Sequence, residues 1–284
     1  MFDMVFENEK GLRLKFGAGT PYTIIEFSGL NPPKATINLN ESALVDGALF
    51  DSAKLQVRSM NIAFAVEYDA EASRLNVYKI VQPKKPIRLY FKSDLLDIFI
   101  DGYVESVDPT WWAKKQVITL SILCPSPFFK GAQEIINELK ATIPKFHFAF
   151  ASTAEKELVF GSIESLANVL VENNGAVEAG LTFEIYARDV VNGITIANAE
   201  TSEFMFLNFE TQPGDLITIT TAQGEKSITL LRDGVTTNIF NTLGRNSTWL
   251  MLPVGGAVFS YDVNQGEDTS LEITIKHYDL FEGV

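Results

Sequence analysis

The chain offers little that could do chemistry: two histidines, one cysteine and a few groups of acids. His147 lies in the apolar run Phe146-His147-Phe148, and His277 ends a strand-like segment. Neither has a Ser/Asp or Cys partner at a recognisable spacing, so both read as structural or surface residues. Cys124 falls between a buried-looking strand and a proline, where a thiol acts as a small core residue. Being alone, it can form neither an intrachain disulfide nor a cysteine-rich metal site. Asp94, Asp97 and Asp101 resemble a carboxylate cluster. Paired carboxylates work as acid and base only in a pocket that separates their pKa values. Asp97-Ile98-Phe99-Ile100-Asp101 instead alternates polar with apolar, which puts the acids on the wet face of a strand. Asp262-Val263-Asn264-Gln265-Gly266-Glu267-Asp268 spaces oxygens as a calcium loop does, but its glycine comes one position early and no glutamate closes it, so a hairpin loop is expected. Gly17-Ala18-Gly19 runs into Thr20-Pro21, and the proline removes an N–H that a phosphate cradle needs. We therefore expect no enzyme, no cofactor and no metal site.

Residues suited to contact are easier to find. Trp111-Trp112 follows Asp108-Pro109-Thr110. In extended backbone the two rings point to opposite sides, which exposes at least one for an interface or for stacking on a sugar; two core anchors at a strand start is the alternative. Lys84-Lys85 and Lys114-Lys115 read as solvated loop charges that could also meet acidic neighbours in an assembly. Trp111, Trp112, Lys84 and Lys85 are the interface candidates.

The elements that must position these residues are strands. Ile87, Leu89 and Phe91 alternate with polar neighbours, as do Ile118, Leu120 and Ile122, then Leu181, Phe183 and Ile185, and Leu271, Ile273 and Ile275. Asp46-Gly47, Asn173-Asn174-Gly175, Pro213-Gly214-Asp215, Asp233-Gly234 and Gly255-Gly256 punctuate them as turns. This pattern predicts a mainly β protein of sandwiches or small barrels. Leu55 and Val57 are out of phase with Met60, Ile62, Phe64 and Val66, which predicts a β-bulge or a sharp bend near Arg58-Ser59. Ile135, Ile136 and Leu139 share one face of a short helix expected over 132–141 and ended by Pro144; Ile163, Leu166, Val169 and Leu170 fit either a second helix or a strand.

Cys124-Pro125-Ser126-Pro127-Phe128-Phe129 breaks the chain in two, because two prolines separated by a single residue cannot continue a ladder. Charge breaks at the same place. Residues 1–130 hold 15 basic and 15 acidic side chains; out of totals of 23 and 36, the remainder hold 8 and 21, so the whole net charge of −13 lies in the second half. We expect a β domain over 1–130, a linker with the short helix over 131–150, and a β-sandwich over 151–284. An acidic second half disfavours nucleic acid. The N-terminus has no basic n-region with a long apolar core, and the apolar runs, such as 62–66, are too short to span a bilayer, so we expect a protein made in the cytoplasm with no membrane insertion.

The order of these features resembles the distal tail proteins of long-tailed, non-contractile phages and prophages, the siphovirus-type tail component family. The first half is similar to that family's N-terminal domain in its Gly29-Leu30-Asn31-Pro32-Pro33 turn, the Asp46-Gly47 ahead of a strand carrying Arg58, and the Cys124-Pro125-Ser126-Pro127-Phe128-Phe129 ending, with Ser126 where an aspartate is common. The second half resembles the family's galectin-like sandwich in Val171-Glu172-Asn173-Asn174-Gly175, Gly214-Asp215-Leu216-Ile217-Thr218-Ile219, Asp233-Gly234 and Leu252-Pro253-Val254-Gly255. The resemblance implies a split-barrel or sandwich ring domain, a galectin-like C-terminal domain, and a non-enzymatic virion protein. It implies a homohexameric ring at the tail tip that contacts the tail tube protein and the tail-associated hub protein, and in some members receptor-binding proteins. A carbohydrate-binding sandwich is the competing reading. Trp249 is its one aromatic candidate in the second half, and Leu250, Met251 and Leu252 beside it make it look like core.

Overall fold

The computed structural model describes residues 3–41, 46–111, 115–144, 161–165 and 168–284. The protein is mainly β, with a single α-helix among the described residues. It divides into two compact units, Met1–Ala132 with Leu280–Val284, and Gln133–Asp279. The second unit is thus an insertion in the first, and the last five residues complete the first.

Unit 1 begins with β1 (Asp3–Asn8), β2 (Arg13–Lys15) and β3 (Tyr22–Ser28), followed by a hairpin of β4 (Ala35–Glu41) and β5 (Ala48–Leu55). β6 (Arg58–Val66), α1 (Ala70–Ile80), β7 (Pro86–Lys92), β8 (Asp97–Pro109), β9 (Val117–Cys124) and β10 (Phe129–Gly131) complete its first pass. The main sheet runs β2-β1-β7-β8-β9-β6-β3, all antiparallel. No ladder joins its two ends among the described residues, so of the split barrel or sandwich expected for this domain the sheet is the open form. Its inner face buries alternate side chains, Ile87, Leu89 and Phe91 on β7 and Ile118, Leu120 and Ile122 on β9, as period two requires. Phe16 packs edge-on against Phe6 and Phe64 in this core.

Two expectations are corrected here, each for an identifiable reason. No bulge lies at Arg58-Ser59: β6 pairs with β9 without a slip from Arg58↔Cys124 to Ala65↔Val117. The phase break arises because Leu55 belongs to β5, in another sheet. The linker helix is absent; Ile135–Glu138 form β11, paired with the strand Leu271–His277. Ile136, assigned to a buried helical face, is exposed, since alternation rather than a 3.6 period governs the segment. The helix that does exist was not anticipated. Its buried stripe is Ser73, Val77 and Ile80, and a serine at one of three positions erases the apolar signal. Ser73 is held by its backbone carbonyl, which accepts from Tyr22 Oη at 2.9 Å, and by its hydroxyl, which donates to Tyr68 O.

Arg58 organises one end of unit 1. It is 3% exposed, and its guanidinium donates only to backbone carbonyls: Nε to Pro127 O at 2.8 Å, Nη1 to Gly29 O and Asn31 O, and Nη2 to Glu282 O. Its Cζ stands 4.5 Å over the ring of Phe129. Gly29 has φ +97°, and a Cβ there would lie 2.5 Å from Ser59 O, so only glycine brings its carbonyl this close. Glu282 belongs to the returning segment, where β25 (Leu280–Phe281) pairs with β10 and the Val284 N–H donates to Leu30 O.

Unit 2 continues with β12 (Lys140–Pro144), β13 (Gly161–Ser165), β14 (Val169–Val171), β15 (Ala179–Gly180) and β16 (Thr182–Ala187). Then come β17 (Asn192–Asn198), β18 (Phe204–Glu210), β19 (Leu216–Thr220), β20 (Ser227–Arg232), β21 (Val235–Asn238), β22 (Met251–Leu252), β23 (Ala257–Gln265) and β24 (Leu271–His277). A sheet ordered β11-β24-β16-β19-β20-β21 and a second ordered β14-β23-β17-β18 form a sandwich. Phe183 of one meets Phe259 of the other edge-on, with centroids 6.0 Å apart. Asp215, buried in the turn before β19, accepts from Gln212 N and from both ends of the Arg232 fork on β20. Arg232 holds its carboxyl below the ordinary carboxylate range.

Arg58→Met should leave four carbonyls short of a donor and destabilise unit 1 by on the order of 3–5 kcal/mol. Arg58→Lys, which keeps the charge but not the fork, should recover only part of this. Denaturant unfolding of both variants against the parent measures it; an Arg58→Met midpoint equal to the parent's would contradict the assignment.

Candidate functional site

The possible catalytic groups are dispersed and structurally engaged. Cys124 is fully buried and burial pushes its thiol up to about 12, against the opposing pull of Arg58, so no thiolate nucleophile is available near neutrality. Asp101 accepts from Arg88 at 2.6 and 3.1 Å, and Asp97 from Lys92 at 2.7 Å. Arg88 and Asp101, like Lys92 and Asp97, are directly opposed residues of β7 and β8, so these acids are the solvated face of a sheet. Asp262 to Gln265 lie within β23, paired with β17, and so belong to a strand rather than a hairpin loop. His147 lies outside the described residues. His277 is buried at the end of β24, its Nε2 3.7 Å from Asp279, and burial holds its pKa below the ordinary imidazole value although Asp279 pulls the other way.

The interface candidates fall in two places. Trp111 is 59% exposed and packs under α1, with the Arg74 guanidinium 4.8 Å over its ring. Trp112 lies outside the described residues. Lys84 has φ 68°, and its N–H donates to Val104 O in the turn before β7. Lys85, next to it, donates to Glu9 Oε1 at 3.1 Å.

The larger contact surface is one that was not singled out. Among the described residues β4 and β5 pair only with each other, and almost every residue of the two strands is exposed. Its two faces differ sharply. Opposed pairs Ala35↔Leu55, Ile37↔Ala53 and Leu39↔Phe50 line one face, whereas Thr36↔Lys54 and Asn38↔Ser52 line the other. The pairing slips between Asn38 and Leu39, so Asp51 is an extra residue. That bulge is what brings even-numbered Phe50 onto the same face as Ala53 and Leu55. The polar face is internally satisfied: Asn38 Nδ2 donates to Ser52 Oγ and Gln56 Nε2 to Thr36 Oγ1. On the apolar face Ile37, Leu39 and Phe50 are 59%, 56% and 67% exposed. A lone two-stranded hairpin is marginal in water, and an uncovered apolar face of this kind marks a contact surface. The alternation of Ile37 and Leu39 was visible in the sequence, but it could not tell a strand facing the core from one facing outward.

Comparison with known proteins places this architecture. Residues 174–278 match the family model described as siphovirus-type tail component, C-terminal domain. No curated protein matches the chain significantly. Among solved structures, the Dit (gp 19.1) protein of phage SPP1, described as a paradigm of the hub adsorption apparatus in phages infecting Gram-positive hosts, is 14% identical with a TM-score of 0.66, over 99% of both chains. A chain of the phage p2 baseplate in its activated conformation with Sr is 10% identical with a TM-score of 0.50, over 97% of this chain and 98% of that one. The structural likeness shows the fold, and the family match covers residues 174–278.

His277 gives unit 2 a predictable pH response. Its folded pKa lies below the unfolded value of about 6.5, so between the two the unfolded chain binds the extra proton. Stability of unit 2 should fall as pH drops below about 6.5 and level off once the folded pKa is passed. His277→Gln should flatten the dependence of the unfolding midpoint on pH between roughly 7.5 and 5.5. An unchanged slope would assign the titration to other groups.

Proposed function

We propose that this chain, whose residues 174–278 match the C-terminal domain of a siphovirus-type tail component, is a distal tail protein that closes a homohexameric ring at the tip of a phage tail. In this reading unit 1 forms the ring and docks axially, on one side to the tail tube protein and on the other to the tail-associated hub protein. Unit 2 is the galectin-like domain, faces outward and holds receptor-binding protein. The chain is a virion component, assembled in the host cytoplasm, and has no catalytic role.

One observation carries self-association: the amphipathic hairpin β4–β5, whose apolar face has no cover among the described residues. A closed ring gives every copy the same neighbour, so one hairpin per chain is covered without leaving an open end. The charge distribution supports the division of labour. Residues 1–130 are neutral and can pack against copies of themselves without long-range repulsion, while the net charge of −13 sits on the part that faces solvent or a partner. Trp111, Trp112, Lys84 and Lys85 lie on unit 1 outside the hairpin and are the proposed axial contacts.

Light scattering and negative-stain imaging of the purified protein test this. The expected species is a hexamer of the 31.5 kDa chain, seen as a ring with a central hole. Leu39→Ser with Phe50→Ser should release monomers while shifting the monomer's unfolding free energy by no more than about 0.5 kcal/mol, because both side chains are solvent-exposed there. A ring that survives the double substitution would remove the hairpin from the interface, and a chain that stays monomeric at high concentration and on tail tube protein would remove the ring.

A further inference from the structure

Unit 2 is acidic, and three of its cations are neutralised by its own carboxylates. Arg188, Arg232 and Lys276 are each paired with a carboxylate, those of Glu272, Asp215 and Glu184. Lys226 and Arg245 are exposed and form no ion pair with a described residue. Lys226 borders an aromatic surface that includes Trp249, and Arg245 stands four residues before that tryptophan in the chain. Lys226, in the turn between β19 and β20, holds its Nζ 5.3 Å over the ring of Trp249. Phe240 leans on that indole, with centroids 5.6 Å apart and planes at 32°, and is 44% exposed. Arg245, Asn246 and Thr248 lie on the short loop that leads into Trp249, and all three are exposed. Trp249 itself is half-buried, so the expectation that its apolar neighbours make it core does not hold; Leu250 and Leu252 take the core positions instead.

We propose that this shelf binds an acidic saccharide. The apolar C–H face of a pyranose stacks on an exposed aromatic surface, here the Phe240–Trp249 pair. The amide of Asn246 and the hydroxyl of Thr248 can donate to and accept from ring hydroxyls. Lys226 and Arg245 bracket a sugar carboxylate or phosphate, with charge-assisted hydrogen bonds. The net negative charge of the surrounding unit repels anions elsewhere and leaves this pair of cations as the favourable approach. A saccharide fits better than an extended peptide, because the loop's backbone is already engaged: Gly244 N donates to Phe206 O, Thr248 N to Phe204 O and Ser247 N to Gly244 O. A peptide strand would find no open ladder there, whereas the side chains remain free.

Binding of oligogalacturonate to the full-length protein, followed by tryptophan fluorescence and calorimetry, tests the site. Saturable binding is expected that weakens by at least about tenfold in Phe240→Ala and in Lys226→Glu with Arg245→Glu, each loss being worth one stacking or charge-assisted contact. The charge-reversal pair is on the surface and should unfold at the parent's midpoint, and Trp111→Ala, in unit 1, should bind as the parent does. Absence of saturable binding, equal binding of neutral dextran, equal binding of polyglutamate, or affinity unchanged by the charge reversal would each overturn the proposal.

Discussion

A guanidinium buried without a carboxylate has to find its acceptors in the backbone, and that requirement ties unit 1 together. Arg58 takes carbonyls from Gly29, Asn31, Pro127 and Glu282, that is, from the turn after β3, the corner after β9 and the returning end of the chain. None of those segments is in a regular ladder at the point of contact, so none could satisfy its carbonyl by pairing. Burial pulls the pKa of Arg58 down, but a guanidinium is not deprotonated in proteins, so the charge persists and the acceptors remain obligatory. The glycine at position 29 and the phenylalanine at 129 follow from the same demand, one by giving access to a carbonyl and the other by offering a ring face to the cation.

That cluster also explains how much was legible in the sequence. The Gly29 turn, Arg58 and the Cys124-Pro125-Ser126-Pro127-Phe128-Phe129 corner stood out separately as punctuation, and the fold brings all three to one place. Periodicity identified the strands whose inner faces are apolar, such as β7, β9 and β24, because burial on one face imposes alternation. It failed where burial does not follow a simple stripe. α1 buries a serine, and β11 is an edge strand with Ile136 turned to solvent. The contact surface was the least legible, since Ile37 and Leu39 alternate in the same way whether the chain covers them or leaves them open, and the bulge that aligns Phe50 with them comes from pairing rather than from composition.

The two units meet the outside by different physics. Unit 1 presents apolar side chains on a hairpin stiffened by cross-strand polar pairs on its far face, a surface suited to permanent burial. Unit 2 keeps its strands in a packed sandwich and presents an aromatic pair with a lysine over it, a surface suited to reversible contact with something polar.

The chain leaves unit 1 along β10 and comes back along β25, and these two strands are paired side by side, Lys130 opposite Leu280 and Phe129 opposite Phe281. Neighbouring strands lie about 5 Å apart, which is the span a tight turn closes. Everything between Gln133 and Asp279 is therefore hung from a doorway no wider than a hairpin. An exchange of that insertion for a domain of another size would leave β10, β25 and the carbonyls around Arg58 where they are.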